Sequence, residues 1–270
     1  PLFKKGNHSK VNNYRTVSMT CIICKILEKI IKEEMLVFIN EHHIIKNSQH
    51  GFREGRSSLS NLLDFYYDVY ESLDKSNSVD IIYLDFAKAF DKVPHERLVL
   101  KLQACGIGGN ILRWIQNWLK DRRQRVNIKG VSSDWIKVES GVPQGSVLGP
   151  LLFVIYINDL EKNINSKVSM FADDTKLHAV VNKEEDVNIL RRDLNKIWQW
   201  SLDWQMQFNV EKCAVMHIGK KNPRLTYSMG GNVIQTIQEG KDLGVLISQD
   251  MKLARQCTLA AGKPTKCSES

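Results

Sequence analysis

No stretch of the 270 residues stays apolar for long. The longest near-apolar run, Val147 to Ile157, is interrupted by Gly149 and Pro150 and falls short of the roughly 18 residues a membrane helix needs, so no transmembrane helix is expected. Cysteine is sparse as well: Cys21, Cys24, Cys105, Cys213, Cys257 and Cys267 are too few and too scattered for a disulfide framework, which points to a reducing compartment. Cys21-x-x-Cys24 has metal-binding spacing, but it lies in an apolar, helix-like segment with no second Cys or His pair nearby. Two buried thiols are expected there, and no structural zinc. Internal repeats and low-complexity tracts are missing. No charged-then-apolar leader follows Pro1-Leu2-Phe3-Lys4-Lys5, and the opening residue is not methionine, so a piece of a longer chain is expected.

What is present is the composition of a folded protein, 43% hydrophobic and 25% charged, long enough for one large or two modest domains. Lysine and arginine outnumber aspartate and glutamate by 38 to 30, a formal charge of +8. A polyanion is the natural partner of such a surface.

The periodicity alternates helix and strand. Residues 1–16 are basic, polar and extended, a mobile positive arm, and Cys21 to about His42 forms an amphipathic helix with Lys25, Lys29 and Lys32 opposite its isoleucines. A second helix runs from about Ser58 to Leu73. Val79 to Leu84 is a strand ending at Asp85, and Pro94-His95 opens a helix reaching toward Gly106. Residues 110–120 are helical, and 124–138 form a hairpin turning at Lys129-Gly130. A stiff loop, Ser140 to Gly145, feeds an apolar helix from Val147 to about Leu160. Val168–Phe171 and Lys176–Val180 make a second hairpin, and a long helix runs from Glu184 to about Met206. Short strands near Ala214–Ile218 and Leu243–Ile247 follow, and from about Gln256 the chain is expected to fray.

The hairpin turn carries Asp173-Asp174. These acids can meet Asp85 only if the strand before Asp85 neighbours the hairpin in one sheet. Carboxylates crowded together push one another's pKa values upward, so such a cluster makes sense around a divalent cation, whose preferred ligands are carboxylate and phosphate oxygens. Two such ions can clamp the attacking and leaving oxygens of a phosphoryl transfer.

Three motifs in order sharpen this reading: Tyr83-Leu84-Asp85-Phe86-Ala87-Lys88-Ala89-Phe90-Asp91, Ser140-Gly141-Val142-Pro143-Gln144-Gly145-Ser146 through Phe153, and Phe171-Ala172-Asp173-Asp174. Around them stand Asn13-Tyr14-Arg15-Thr16-Val17-Ser18, with Thr16 where proline is usual, Gln49-His50-Gly51-Phe52-Arg53, Asn209-Val210-Glu211-Lys212-Cys213, and Asp242-Leu243-Gly244-Val245, where an aromatic often precedes the leucine. The whole set resembles the reverse transcriptases of non-LTR retrotransposons (LINE-type, jockey/CR1-like). The resemblance implies an α+β, right-hand polymerase fold with an antiparallel palm sheet backed by helices: fingers over about 1–78 and 105–139, palm over about 79–104 and 140–247, and a truncated start of a thumb or a frayed tail over 248–270.

It also implies roles. Asp85, Asp173 and Asp174, with the backbone carbonyl of Phe86, would hold two Mg²⁺ ions, Mn²⁺ being an acceptable substitute. Lys212 would protonate the leaving pyrophosphate. Arg15 would grip the triphosphate, with Lys4 and Lys5 assisting or touching template, Phe90 would exclude a ribose 2′-hydroxyl, and Gln144 and Gly145 would line the nucleotide pocket. The implied partners are an RNA template, a DNA primer, deoxynucleoside triphosphates and the rest of a longer retrotransposon polyprotein. The implied residence is intracellular, nuclear or cytoplasmic, with no membrane partner. Arg53, Arg56, Arg122, Arg123 and Arg125 are further candidates for backbone phosphates. Two alternatives stay open: an inactive nucleic-acid-binding remnant of a degraded element, or another right-hand polymerase such as a group II intron maturase, a telomerase-like enzyme or an RNA-templated RNA polymerase.

Overall fold

The structure, a computed structural model, describes residues 2–4 and 6–262, so the expectations for Lys5 and Cys267 lie outside the described residues. The α-helices among them are α1 (Ile22–Glu41), α2 (Ser58–Asp74), α3 (Ala89–Lys92), α4 (His95–Ala104), α5 (Gly109–Leu119), α6 (Gly149–Ile157), α7 (Glu184–Asp203) and α8 (Ala254–Ala261). The chain divides into two compact units, one of Pro1–Glu54, Phe86–Lys162 and Trp200–Gln207, the other of Gly55–Asp85, Asn163–Gln199 and Phe208–Ser270.

The second unit is built on a five-stranded sheet ordered Gln235–Thr236, Ala214–Ile218, Val79–Leu84, Asp174–Val180, Lys167–Phe171. Val79–Leu84 sits at its centre because its β-branched run is buried on both faces, Tyr83 being only partly covered. It pairs antiparallel with both neighbours, from Val79↔Val180 to Leu84↔Thr175 on one side and from Ile218↔Val79 to Ala214↔Tyr83 on the other. Alternation then sends Val79 and Ile81 to one face, where they pack with Phe65 and Val69 of α2, Met216, Ile218, Ile247 and Met251. Asp80 takes the other face and is fully buried, satisfied by His217 Nδ1 at 2.7 Å, Asn222 Nδ2 at 2.7 Å and the Tyr227 hydroxyl at 2.5 Å. Helix α2 opens on a reciprocal capping box between Ser57 and Ser60.

In the first unit, α6 has no polar face: from Leu151 to Ile157 every residue is buried, as expected of a helix lodged inside the core. Helix α4 packs on α5 and α6. Lys101 of α4 is also buried, ion-paired with Asp159 and seated 3.5 Å from the centre of the Trp204 ring.

Several expectations need correction. Of the apolar residues expected to face inward on α1, Ile39 is buried and Ile31 and Leu36 are half-buried, but Ile22, Ile23, Ile26, Leu27 and Ile30 are exposed, and the other buried positions are Glu28 and Met35. The thiols at its start are not buried: Cys21 is exposed and caps the helix, and Cys24 is half-buried with its thiol 3.2 Å from Glu28. The basic arm is not open but paired, Leu2↔Arg15 and Phe3↔Tyr14, with Phe3 stacked on His8. The 124–138 hairpin does turn at Lys129-Gly130 as expected, but its pairing is interrupted into two short ladders, Arg123–Gln124 with Ile136–Lys137 and Asn127–Ile128 with Val131–Ser132. Residues 254–261 form α8 instead of fraying. Its apolar residues are mostly alanines, too small to mark a core-facing stripe, but the helix packs on the Val245–Ser248 strand.

Candidate active site

The Lys167–Phe171 and Asp174–Val180 strands meet in a turn of two residues, since Phe171 pairs with Asp174. So tight a reversal requires a left-handed residue, and Ala172 takes it at φ 55. Asp173 is thereby held half-buried in the turn, and Asp174 becomes the exposed first residue of its strand. The neighbouring register ends at Leu84↔Thr175, which brings the next residue, Asp85, alongside Asp174 at one edge of the sheet.

A third segment closes on this edge. Asn209 donates its amide to the Asp85 carbonyl at 2.7 Å, and the amides of Lys212 and Cys213 return to the Asn209 carbonyl at 2.9 and 3.1 Å. That small turn aims Lys212, whose Nζ lies 3.3 Å from Asp85 Oδ1. Asp85, Asp174 and Lys212 line a cavity of about 320 Å³, shared with Tyr83, Lys176 and Leu243; Asp173 is not part of its lining. Carboxylate oxygens are what Mg²⁺ selects, so the chemistry of Asp85, Asp173 and Asp174 suits that ion. Among the described residues no three His, Cys, Asp or Glu side chains are gathered closely enough to hold a metal, and Lys212 provides the charge that faces Asp85.

Sequence reasoning missed the floor of this cavity. Lys176, two residues along the strand from Asp174, is buried and ion-paired with Asp242, and its ammonium lies 4.2 Å from the centre of the Phe65 ring. Burial pushes the Lys176 pKa down and outweighs the opposing pull of Asp242 and Asp174. Asp242 is thus a partnered residue; a lysine in the middle of a strand that is buried from Thr175 to His178 was the available signal. The Glu239–Asp242 and Val245–Ser248 segments pair with each other in a separate two-stranded sheet, and only the second was expected as a strand.

Arg15, Phe86, Phe90, Gln144 and Gly145 belong to the other unit. Phe86 is buried, its ring 6.4 Å from that of Trp200. Phe90 is half-buried in α3, stacked on Phe153 at 4.5 Å with Phe52 edge-on at 6.2 Å. The Ser140–Val142 strand-like loop is stitched beside it, Val142 donating to the Phe90 carbonyl at 2.8 Å and Gly141 to that of Val93 at 2.8 Å. Gln144 is half-buried and its carbonyl accepts the Ser18 amide at 2.7 Å. Gly145, at φ 113, lies so near Ser18 that a Cβ would stand 2.6 Å from the serine carbonyl. Arg15 is exposed, three residues before that contact.

Residues 3–247 match the family described as reverse transcriptase (RNA-dependent DNA polymerase). The chain is 26% identical over 261 residues to an RNA-directed DNA polymerase from the mobile element jockey of Drosophila melanogaster, covering 92% of this chain and 28% of that protein. It is 28% identical to the jockey polymerase of Drosophila funebris, again over 92% of this chain and 28% of the relative. A probable RNA-directed DNA polymerase from the X-element of Drosophila melanogaster is 26% identical, over 91% and 28%. The chain therefore spans a little over a quarter of the curated relatives it matches. Among solved structures, apo telomerase from Candida tropicalis truncated from its C-terminal domain superposes with a TM-score of 0.57 at 12% identity, covering 83% of this chain and 45% of that one. That likeness gives the fold, a mixed α+β right-hand polymerase. With its motifs in order and the match running almost end to end, the chain belongs to the reverse transcriptase (RNA-dependent DNA polymerase) family.

Proposed function

We propose that this chain is the polymerising part of a non-LTR retrotransposon protein and extends a DNA primer on an RNA template. The primer 3′-hydroxyl oxygen forms a bond to the α-phosphorus of a deoxynucleoside triphosphate, the bond from that phosphorus to the bridging oxygen breaks, pyrophosphate leaves, and the hydroxyl proton is lost. The observation that carries this reading is the register that sets Asp85 beside Asp174 at one sheet edge, with Asp173 in the adjoining turn. In it, the palm comprises about 79–104 and 140–247 and the fingers about 1–78 and 105–139.

Asp85, Asp173 and Asp174, with the Phe86 carbonyl, would hold two Mg²⁺ ions once the acids turn toward one another, Lys212 being the charge that otherwise faces Asp85. When bound, such ions neutralise charge on the attacking and leaving oxygens. The protein's own share is positioning and protons. Lys212, 3.3 Å from Asp85, would give a proton to the departing pyrophosphate. Arg15 offers a planar fork to phosphate oxygens. Phe90, half-exposed and backed by Phe153, stands as the ring that rejects a 2′-hydroxyl by clash.

The test is primer extension on an RNA template with Mg²⁺. The unaltered chain should add deoxynucleotides, and Asp173→Asn should lower the rate by at least about a thousandfold, a loss of ~4 kcal/mol in transition-state stabilisation. Equal rates for the two chains, or none from either, would reject the polymerase reading and favour a binding remnant.

A further inference from the structure

Glu28 is a carboxylate with no exposure at all, carried on the inward face of α1 in a helix whose other acids are at the surface. Its oxygens reach far along the sequence. Oε2 accepts the backbone amides of Val147 at 2.6 Å and Leu148 at 3.2 Å, and Oε1 accepts the Cys24 thiol at 3.2 Å. Those two amides stand at the threshold of α6, whose own cap residue, Leu148, has no side chain able to accept them. Orphan donors and the positive end of the helix dipole make this a favourable place for an anion. Glu28 is thus a cap supplied from another helix.

What it caps follows Gln144-Gly145 directly. That loop is already held from one side, where Ser18 donates to the Gln144 carbonyl and leaves no room for a side chain at Gly145. Ser146 turns its hydroxyl inward to the Pro143 carbonyl at 2.8 Å and receives the Gly149 amide at 3.0 Å. With Ser18 and Glu28 both lying shortly after Arg15 in sequence, one stretch of chain carries the proposed triphosphate ligand and fixes the proposed nucleotide loop at two points.

We infer that Glu28 is a positioning residue for the incoming nucleotide, setting the Pro143–Leu148 backbone so that Gln144 and Gly145 present a fixed surface. This rests on the polymerase reading for its kinetic consequence, while its structural half stands independently. Without Glu28 two amides lose a charged acceptor, and the loop loses its anchor at the α6 end while keeping the one at Ser18. Binding of the nucleotide should suffer, and binding of template and primer should not.

The experiment uses the full chain with Glu28→Gln, nearly the same shape without the charge, and Glu28→Ala. Peptides spanning 143–150 should exchange amide hydrogen faster by about tenfold in Glu28→Ala, the factor expected for one lost charge-assisted hydrogen bond, with peptides of the sheet unchanged. In primer extension the KM for deoxynucleotide should rise by about tenfold with kcat and the primer–template Kd held within about threefold, and Glu28→Gln should recover part of the loss. If Glu28→Ala does not fold, Glu28→Gln decides on both readouts, with smaller shifts in the same directions. Unchanged exchange in 143–150 overturns the inference. So does a KM that does not move, or one that moves only together with kcat and primer affinity. A chain that fails to extend primers while exchange accelerates as described sinks the polymerase reading and leaves Glu28 as the anchor of the loop.

Discussion

Asp193 lies on α7 with no exposed side-chain surface, yet it remains a strong acid. Burial alone pushes it upward, but the amide and hydroxyl of Ser166, the Lys196 ammonium and the Asn165 amide together hold its pKa below the usual 3.8. A folded-state value below the unfolded one means stabilisation that is present above the unfolded pKa and lost as pH falls through the folded one. Asp193→Asn should therefore cost about 1–3 kcal/mol in urea unfolding at pH 7, and the gap from the unaltered chain should close progressively below about pH 4. At Phe90 the measurable quantity is sugar selectivity. Phe90→Val should raise ribonucleotide use relative to deoxynucleotide by at least about tenfold, equivalent to ~1.4 kcal/mol of discrimination, and an unchanged ratio would return Phe90 to a purely packing role. Asp85 at a strand end and Asp173-Asp174 at a hairpin turn could be read from pattern as positions in the fold, but alone each reads as an ordinary turn residue, and only the ordered motifs set them apart. Asp193, Glu28 and Asp242 were not legible, since a single charge within a helix or strand carries no mark of the distant backbone or lysine that satisfies it.

Among the elements, the central strand and the long helices could be read from period alone, while the hairpin of Glu239–Asp242 and Val245–Ser248 could not. Gly240, Lys241 and Asp242 have little strand propensity. What holds that strand is its ladder to Val245–Ser248 and the buried pair between Asp242 and Lys176 of the acid-bearing strand. Removing one partner strands a buried charge, so Lys176→Met should destabilise the fold by about 3–5 kcal/mol. Asp242→Asn should cost less, because burial already draws the Lys176 pKa down and the lysine can shed its proton. The double change Lys176→Met with Asp242→Leu should recover most of the loss; a double mutant no better than Lys176→Met would mean the pair contributes more than charge balance. The inward face of α1 was misjudged for a related reason. Periodicity identifies a stripe but not which stripe faces inward, and here a glutamate with two distant amides to satisfy lies on the buried side.

Across the whole molecule the excess of eight positive charges sets how it should meet a polyanion. Affinity for an RNA–DNA hybrid should fall steeply with salt, by about tenfold or more between about 50 and 200 mM, with little change on altering base sequence at fixed length. A salt-insensitive affinity measured by filter binding or anisotropy would contradict a backbone-reading surface. The order of the sheet has a consequence of a different kind. Val79 pairs with Val180 on one flank and with Ile218 on the other, so both neighbours of the middle strand are synthesised long after it. Until Ile218 clears the ribosome, the nascent sheet keeps one flank of its middle strand unpaired and open to other chains. A reading frame interrupted between Thr175 and Ala214 would encode Asp85, Asp173 and Asp174 and still leave them on an unfinished sheet, so such copies should aggregate and not fold.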